Sequence, residues 1–319
     1  MNTMRVVTIV CRVITALALI GLAIWFITGS VFGVGWGGNR FPFFNIGGRE
    51  SLSGPFEVAG SQSVSTAGLT SINIDWVAGH VTVLPYDGNE IMVTESAQRQ
   101  LRDNERFAVS TSGDTLVIRF TERPQRRMPA KQLEVLVPRE LGENMTLLKI
   151  DTVSGGVSAN EIGAERLSVE SVSGSVNISG DFARADFSSV SGALIFNNAA
   201  PRSRVDVDST SGAINLTGNF DNVDVNNVSG SIAITSSVVP GTLSVNTVSG
   251  STTVTIPNEG TITVSHSSVS GRFSSEIPVT MQSSGAQFDF SSVSGGTTIN
   301  ALVYHTRINL PILTTPFSA

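Results

Sequence analysis

The chain has 319 residues and a formal net charge of −6, with 20 basic against 26 acidic side chains. An acidic chain of this kind lacks the broad basic surface of nucleic-acid-binding proteins, so we expect no nucleic-acid partner. Its single cysteine, Cys11, excludes an intramolecular disulfide and a multi-cysteine metal site. Charged residues make up 14% and aromatic residues 7% of the chain, a composition more typical of a β-rich repeat protein than of an α/β enzyme.

The first element in chain order is an uncharged run over residues 13–36. About 20 apolar residues cross a bilayer, and this run is long enough. Arg5 and Arg12 precede it and favour a cytoplasmic N-terminus by the positive-inside rule. A cleaved signal peptide is the alternative, but no Ala-x-Ala site follows the run. We therefore predict a single-pass protein of the cell membrane, with a short cytoplasmic tail (1–12), a transmembrane helix (13–36) and an extracytoplasmic remainder.

Residues 37–67 are rich in Gly, Ser and Phe and are predicted to be a linker, with a partner-binding segment as the less favoured alternative. The glycines from Gly33 to Gly38 formally match G-x-G-x-x-G. They follow an apolar run rather than a strand, so no nucleotide site is expected.

A Val-Ser-Gly motif recurs through the second half of the chain, with a Thr-Ser-Gly variant at Gly212 and an Ala-Gly variant at Gly79. From Gly155 to Gly295 the glycines step by 19, 18, 20, 18, 20, 21 and 24 residues. Periods near 20 residues are typical of stacked-repeat folds. The repeat glycines are Gly79, Gly155, Gly174, Gly192, Gly212, Gly230, Gly250, Gly271 and Gly295.

Val- and Ile-rich alternation on both sides of each glycine predicts two short strands joined at a Ser-Gly bend. One such coil cannot bury its apolar face alone, so the coils must stack in chain order. The fold class is therefore predicted to be all-β, a single-stranded β-solenoid with coils of about 19 residues, preceded by one transmembrane helix. The solenoid covers 68–302, with an N-terminal cap and first coil over 68–146, Val-Ser-Gly coils over 147–302, and a C-terminal tail over 303–319.

The repeat frame also predicts which side chains point inward. The motif serines are expected to stack into hydroxyl ladders. At the position five residues before each glycine, one continuous inward column is expected. His266 falls in this column by counting, but a bulge or longer turn at Ser265–Ser268 is predicted to place Ile262 and Val264 inside and His266 outside. The column members are Ile150, Val169, Phe187, Val207, Val225 and Val245.

Three aspartates, Asp186, Asp206 and Asp224, share one outward position on successive coils. Stacking brings their carboxylates to about 5 Å, where adjacent pairs repel. We expect the side chains to splay into solvent. The alternative is a weak calcium-binding ladder.

Basic side chains concentrate between Arg99 and Lys131, interspersed with acidic ones. A solvated mixed-sign surface is the favoured interpretation. A site for anionic wall polymer or lipid headgroups is the alternative.

Taken together, the anchor, the Ile72–Val83 motif and the Val-Ser-Gly repeats resemble the bacterial DUF4097 family over residues 68 to 302. The β-strand-repeat members of that family are labelled “putative adhesins” and are related to toastrack-type domains of cell-envelope stress operons. The resemblance implies an envelope-located repeat protein and supplies no catalytic residues.

The sequence offers little chemistry beyond the repeat. His80, His266 and His305 have no ligand spacing, and no catalytic motif occurs. Asp186, Asp206, Asp208 and Asp224 are the candidates for a glycosidase pair, but they recur in register, as a surface column does. We predict a non-catalytic structural, interaction or adhesin-like module without cofactor, whose partners are the membrane and a cell-wall polymer or another envelope protein. A regulatory envelope-stress component and, less favoured, a polysaccharide-active β-helix enzyme are the alternatives.

Overall fold

The computed structural model describes residues 55–122, 129–282 and 285–302. The predicted tail and anchor (1–36), most of the predicted linker and the C-terminal tail lie outside this part of the chain. Within the described ranges, no helix is long and apolar enough to cross a membrane.

The described chain is almost entirely β-structure, apart from a 3₁₀ turn at Asp103–Glu105 and the short helix α1 (Arg139–Asn144). The early strands are β1 (Glu57–Ser65), β2 (Ser71–Ala78), β3 (Val81–Tyr86), β4 (Glu90–Ala97), β5 (Ala108–Ser112), β6 (Thr115–Arg119), β7 (Lys131–Pro138) and β8 (Leu147–Ser154). The long middle strands are β9 (Val157–Ser173), β10 (Val176–Ser191), β11 (Leu194–Ser211) and β12 (Ile214–Ser229). The later strands are β13 (Ile232–Ser236), β14 (Thr242–Ser249), β15 (Thr252–Ile256), β16 (Ile262–Ser270), β17 (Phe273–Ser275), β18 (Val279–Met281), β19 (Phe288–Ser294) and β20 (Thr297–Ala301).

Parallel pairing between coils produces the predicted solenoid. Strands β8 to β12 pair in register, each rung lying beside the next, and the alternating apolar residues of every rung point to a common interior. The predicted inward column is confirmed: Phe187 pairs with Val169 and Val207, and Val225 pairs with Val245. All six members of the column are at most 4% exposed.

The N-terminal end is closed by strands that the plain repeat does not supply. β6 pairs in parallel with β2, and β7 with β3, so a further rung lies outside the Ile72–Val83 coil predicted to be first. The predicted hairpin turn at Ser112–Asp114 is confirmed by the antiparallel pair β5 and β6. β4 runs antiparallel to β7, and β1 antiparallel to β4. The sequence predicted a linker over residues 37–67, but the end of that segment forms strand β1.

A buried ion pair between Lys131 and Glu95 connects the strands of this cap. The Nζ atom of Lys131, 0% exposed, donates to the Glu95 carboxylate at 2.8 Å and to the carbonyls of Glu105 and Phe120 at 2.7 and 2.5 Å. The Phe120 ring lies 4.2 Å below the same ammonium. Burial lowers the pKa of Lys131, and the Glu95 carboxylate opposes that shift. One side chain therefore joins β7, β4, the 3₁₀ turn and the end of β6.

The C-terminal coils do not stack in chain order. The Gly250 coil (β14 and β15) pairs with the Gly295 coil (β19 and β20), which in turn pairs with the Gly271 coil (β16 and β17). The expectation of a single file is therefore wrong here: the last coil in sequence lies between its two predecessors. The steps of 21 and 24 residues reflect this detour, because the chain leaves the Gly271 coil through β18 before it returns.

Candidate interaction surface

The repeat glycines form a column at the corner of the solenoid. Gly174 has a φ of +133°, and a Cβ built there would lie 2.0 Å from the carbonyl oxygen of Gly155 on the adjacent rung. The same close approach, at 1.8 to 2.2 Å, recurs at every repeat glycine from Gly79 to Gly295. Gly271 has no left-handed φ but meets the Gly295 oxygen at 2.0 Å. A side chain is therefore excluded because the backbones of successive rungs touch at this corner.

The motif serines satisfy backbone carbonyls rather than one another. Ser173 Oγ donates to the carbonyl of Val153 on the neighbouring rung at 3.3 Å, and Ser191 donates to Val172 at 3.4 Å. The predicted hydroxyl ladder is thus a series of side-chain-to-backbone bonds along the axis.

The motif valines lie on the outside of the corner, and the residues that precede them face inward. Ser171 is 4% exposed and points inward, whereas Val172 is half-buried on the outside. Strict alternation from the inward Val169 gives this result, because the second residue after it must also face the core. A mostly buried polar column therefore runs along the corner. Its members are Thr152, Ser171, Ser189, Ser209, Asn227, Thr247 and Ser292.

The three predicted aspartates do stack, since Asp186 pairs with Asp206 and Asp206 with Asp224. Arginines two residues earlier in the strands lie between them. Arg184 contacts Asp186 at 2.9 Å and Asp206 at 3.1 Å, and Arg204 contacts Asp206 at 2.9 Å. Burial alone would raise the pKa of Asp186, but hydrogen bonds and charge from Arg184 and a neighbouring arginine lower it.

The prediction that these aspartates splay into solvent is therefore wrong for Asp186 and Asp206, because the guanidinium groups bind both carboxylates. The arginines relieve the repulsion between the neighbouring carboxylates. The signal was present in the sequence as two Arg-x-Asp repeats, Arg184-x-Asp186 and Arg204-x-Asp206, with Arg166 stacked beside Arg184. Sequence reasoning followed the acidic column alone and missed its basic neighbour.

A second acidic column, which the sequence analysis did not identify, lies on the adjacent outward positions. Asp75 pairs with Asp151, and Asp151 with Glu170. Asp151 is 5% exposed and contacts the Lys149 ammonium at 2.7 Å. Burial raises the pKa of Asp151 to about 6 even though Lys149 opposes the shift. Burial also raises the pKa of Asp75.

His266 lies in the inward register, contrary to the predicted outward position. It pairs with Phe290, which pairs with Val245 of the core column, and its ring contacts Phe273 at 5.4 Å. Burial lowers the pKa of His266. The predicted interior placement of Ile262 and Val264 is confirmed. The predicted bulge is wrong, because β16 pairs with β19 without a register shift from Val264 to Ser268.

Three basic residues of the cap, Arg99, Arg119 and Lys131, contact acidic partners. Arg99 makes a two-pronged contact with Glu105 at 2.8 Å, and Arg119 lies 3.7 Å from Asp75. The Arg99 hydrogen bonds hold the pKa of Glu105 well below its usual range. These contacts favour the solvated mixed-sign surface over an anion site. No group of potential metal ligands occurs among the residues with described positions.

The strands that follow the corner carry a different surface, here called the neutral face. Over seven rungs (β9, β10, β11, β12, β13, β15 and β20), two outward positions per rung hold no charged residue. The neutral face consists of Ser158, Asn160, Asn177, Ser179, Ile195, Asn197, Asn215, Thr217, Ala233, Thr235, Thr253, Thr255, Thr298 and Asn300.

The coil order, the corner column and the two outward surfaces define a capped parallel β-solenoid whose outer side chains form ladders. The chain belongs to the DUF4097 family, described as Toastrack, whose family model matches residues 69–300. A search of curated proteins gives no match.

Solved structures of similar chains include two “putative adhesins”. A “putative adhesin” from Parabacteroides distasonis ATCC 8503 is 14% identical, with 77% of this chain and 98% of that chain covered and a TM-score of 0.44. A “putative adhesin” from Bacteroides fragilis NCTC 9343 is 12% identical, with coverages of 79% and 99% and a TM-score of 0.38.

Proposed function

We propose that this protein is a non-catalytic, adhesin-like interaction module of the cell envelope, anchored by residues 13–36 with its solenoid outside the membrane. The observation that carries the proposal is the continuous register of rungs, which repeats each outward side-chain position along the axis. Repetition of this kind presents one chemical pattern over a long surface, as solenoid binding proteins do. The occupant is a cell-wall polymer or another envelope protein.

The contacts of two candidate carboxylates, Asp186 and Asp206, support a structural role for them. Burial raises the pKa of another candidate, Asp208, whose carboxylate accepts a hydrogen bond from Asn226. The general acid of a glycosidase needs a raised pKa. Asp186 and Asp206 are instead tied to Arg184, at 2.9 and 3.1 Å, and the pKa of Asp186 is lowered. Such a pair stabilises a surface better than it donates a proton.

Protease treatment of intact cells that produce the full chain tests the location. We expect the Val-Ser-Gly region to be cleaved while a cytoplasmic marker protein stays whole. Protection of that region until the cells are lysed would contradict the proposal. Ile20→Arg supplies the matched variant, because a central arginine disfavours insertion by about 3 kcal/mol; it should shift the chain from the membrane fraction to the soluble fraction, and Ser249→Arg should not.

A further inference from the structure

We propose that the neutral face binds an uncharged polysaccharide laid along the solenoid axis. This proposal rests on the proposed role as an interaction module and names the surface and the class of ligand. The first support is the absence of charge. Protein surfaces carry about 25–35% charged residues, yet the fourteen positions of the neutral face, two on each of seven rungs, hold none.

The second support is the difference in hydrogen bonding between the two outward surfaces. Before the corner, polar side chains satisfy one another across rungs: Asn226 donates to Asp208 at 3.1 Å, and Asn246 donates to Asn226 at 3.0 Å. On the neutral face such bonds lie at its two ends, where Ser179 donates to Asn160 at 3.3 Å and Thr298 lies 3.2 Å from Ser274. The longer polar side chains of the central rungs make no side-chain hydrogen bond to another described residue. These are Asn177, Asn197, Asn215, Thr217, Thr235 and Thr253.

The chemistry of the free groups fits sugar hydroxyls. An Asn amide and a Thr hydroxyl each offer a donor and an acceptor, as does every hydroxyl of a neutral sugar. A polyanion gains nothing here, because no cation on the face compensates the loss of its hydration. The face presents these groups on a lattice of about 4.8 Å along the axis and about 7 Å across it, so successive sugar units of an extended chain meet the same groups on successive rungs.

The face has no aromatic side chain on which a sugar ring could stack. Each unit therefore binds weakly, and affinity accumulates over linked units as it does in other multivalent contacts. We expect long polymers to bind and short oligosaccharides of the same sugar to bind at least tenfold more weakly.

Affinity gel electrophoresis of the purified full chain tests the proposal with four neutral polymers (dextran, laminarin, hydroxyethyl cellulose and galactomannan) and two anionic ones (alginate and hyaluronate). We expect retardation by at least one neutral polymer and by neither anionic one. Asn215→Glu, at the centre of the face, should weaken retention at least tenfold. Asn246→Glu, on the surface before the corner, is the matched control, because its neighbours on the adjacent rungs, Asn226 and Ser291, are uncharged. It should leave retention unchanged, with melting temperatures of both variants near that of the wild type.

Three outcomes would overturn the proposal: no retention by any neutral polymer, stronger retention by alginate or hyaluronate, or equal loss in both variants. Retention of another envelope protein that Asn215→Glu abolishes, without polymer binding, would also overturn it and assign the face to a protein partner. The location assay on intact cells is independent of these results. Failure of the polysaccharide proposal is therefore distinguishable from failure of the proposed function.

Discussion

Replacing Gly212 by Ala probes the contact on which the stacking depends. The φ of Gly212 is +129°, and the new Cβ would lie 1.9 Å from the carbonyl oxygen of Gly192. A backbone conformation of this kind costs a non-Gly residue about 1–3 kcal/mol. The two rungs must also separate by more than an ångström at the corner, which disrupts parallel hydrogen bonds beside it. We expect a total loss on the order of 3–5 kcal/mol, a large part of the stability of a folded domain.

Urea unfolding followed by circular dichroism measures the loss. Gly142→Ala is the matched control: it lies in α1, where a Cβ would be 3.7 Å from the Ile162 side chain, an ordinary contact. Alanine there should stabilise by about 0.5–1 kcal/mol through helix propensity. Equal unfolding midpoints for the two variants, or a Gly212→Ala midpoint at the wild-type value, would refute the argument that adjacent backbones touch at the corner.

Three further predictions concern the core and the outward columns. Val225→Ala should lose about 1–3 kcal/mol by deleting buried methyl groups, whereas the half-buried Asn226→Ala should lose much less; equal urea midpoints would show that the register is wrong. Asp151 has a raised folded-state pKa of about 6, so its contribution to stability is present at low pH and is lost as the pH rises through that value. The stability of Asp151→Asn relative to the wild type should therefore increase between about pH 4 and pH 7, by an amount on the order of 2 kcal/mol, and a pH-independent difference would contradict the burial argument. Asn227 is 0% exposed, and neither end of its amide meets a partner among the described residues, so Asn227→Thr, which matches Thr247 on the next rung, should raise the melting temperature; a fall would show that the amide is satisfied.

The repeat fold could be predicted from the sequence because its signal is local and redundant. Period-two alternation identifies the strands, and the glycine spacing identifies the corners, so the column through Val169 and Val225 followed directly. Strict alternation from the inward Val169 also predicts that Ser171, rather than Val172, points inward. The motif valine is apolar, yet parity places it on the outside.

Other features are non-local and carry no comparable signal. The exchanged order of the Gly271 and Gly295 coils depends on which strand β19 pairs with after the chain leaves β18. The glycine spacing shows only that the last two steps are longer. The cap depends on Lys131, whose buried contact with Glu95 joins residues 36 positions apart. The ion pairs of the aspartates could have been predicted from the sequence, because Arg184-x-Asp186 and Arg204-x-Asp206 repeat in the same frame.

Disulfide mapping of the last three coils tests the stacking order most directly, and the last rung of the neutral face, β20 beside β15, follows from that order. In a Cys11→Ser background, Ser249→Cys is combined with either Ser294→Cys or Ser270→Cys; all three serines are exposed. Ser249 pairs with Ser294, and Ser294 pairs with Ser270. Adjacent rungs lie about 4.8 Å apart, within disulfide range, whereas a two-rung separation exceeds the limit of about 7 Å. We predict rapid oxidation of the 249/294 pair and none of the 249/270 pair under native conditions, and the reverse result would contradict the structure.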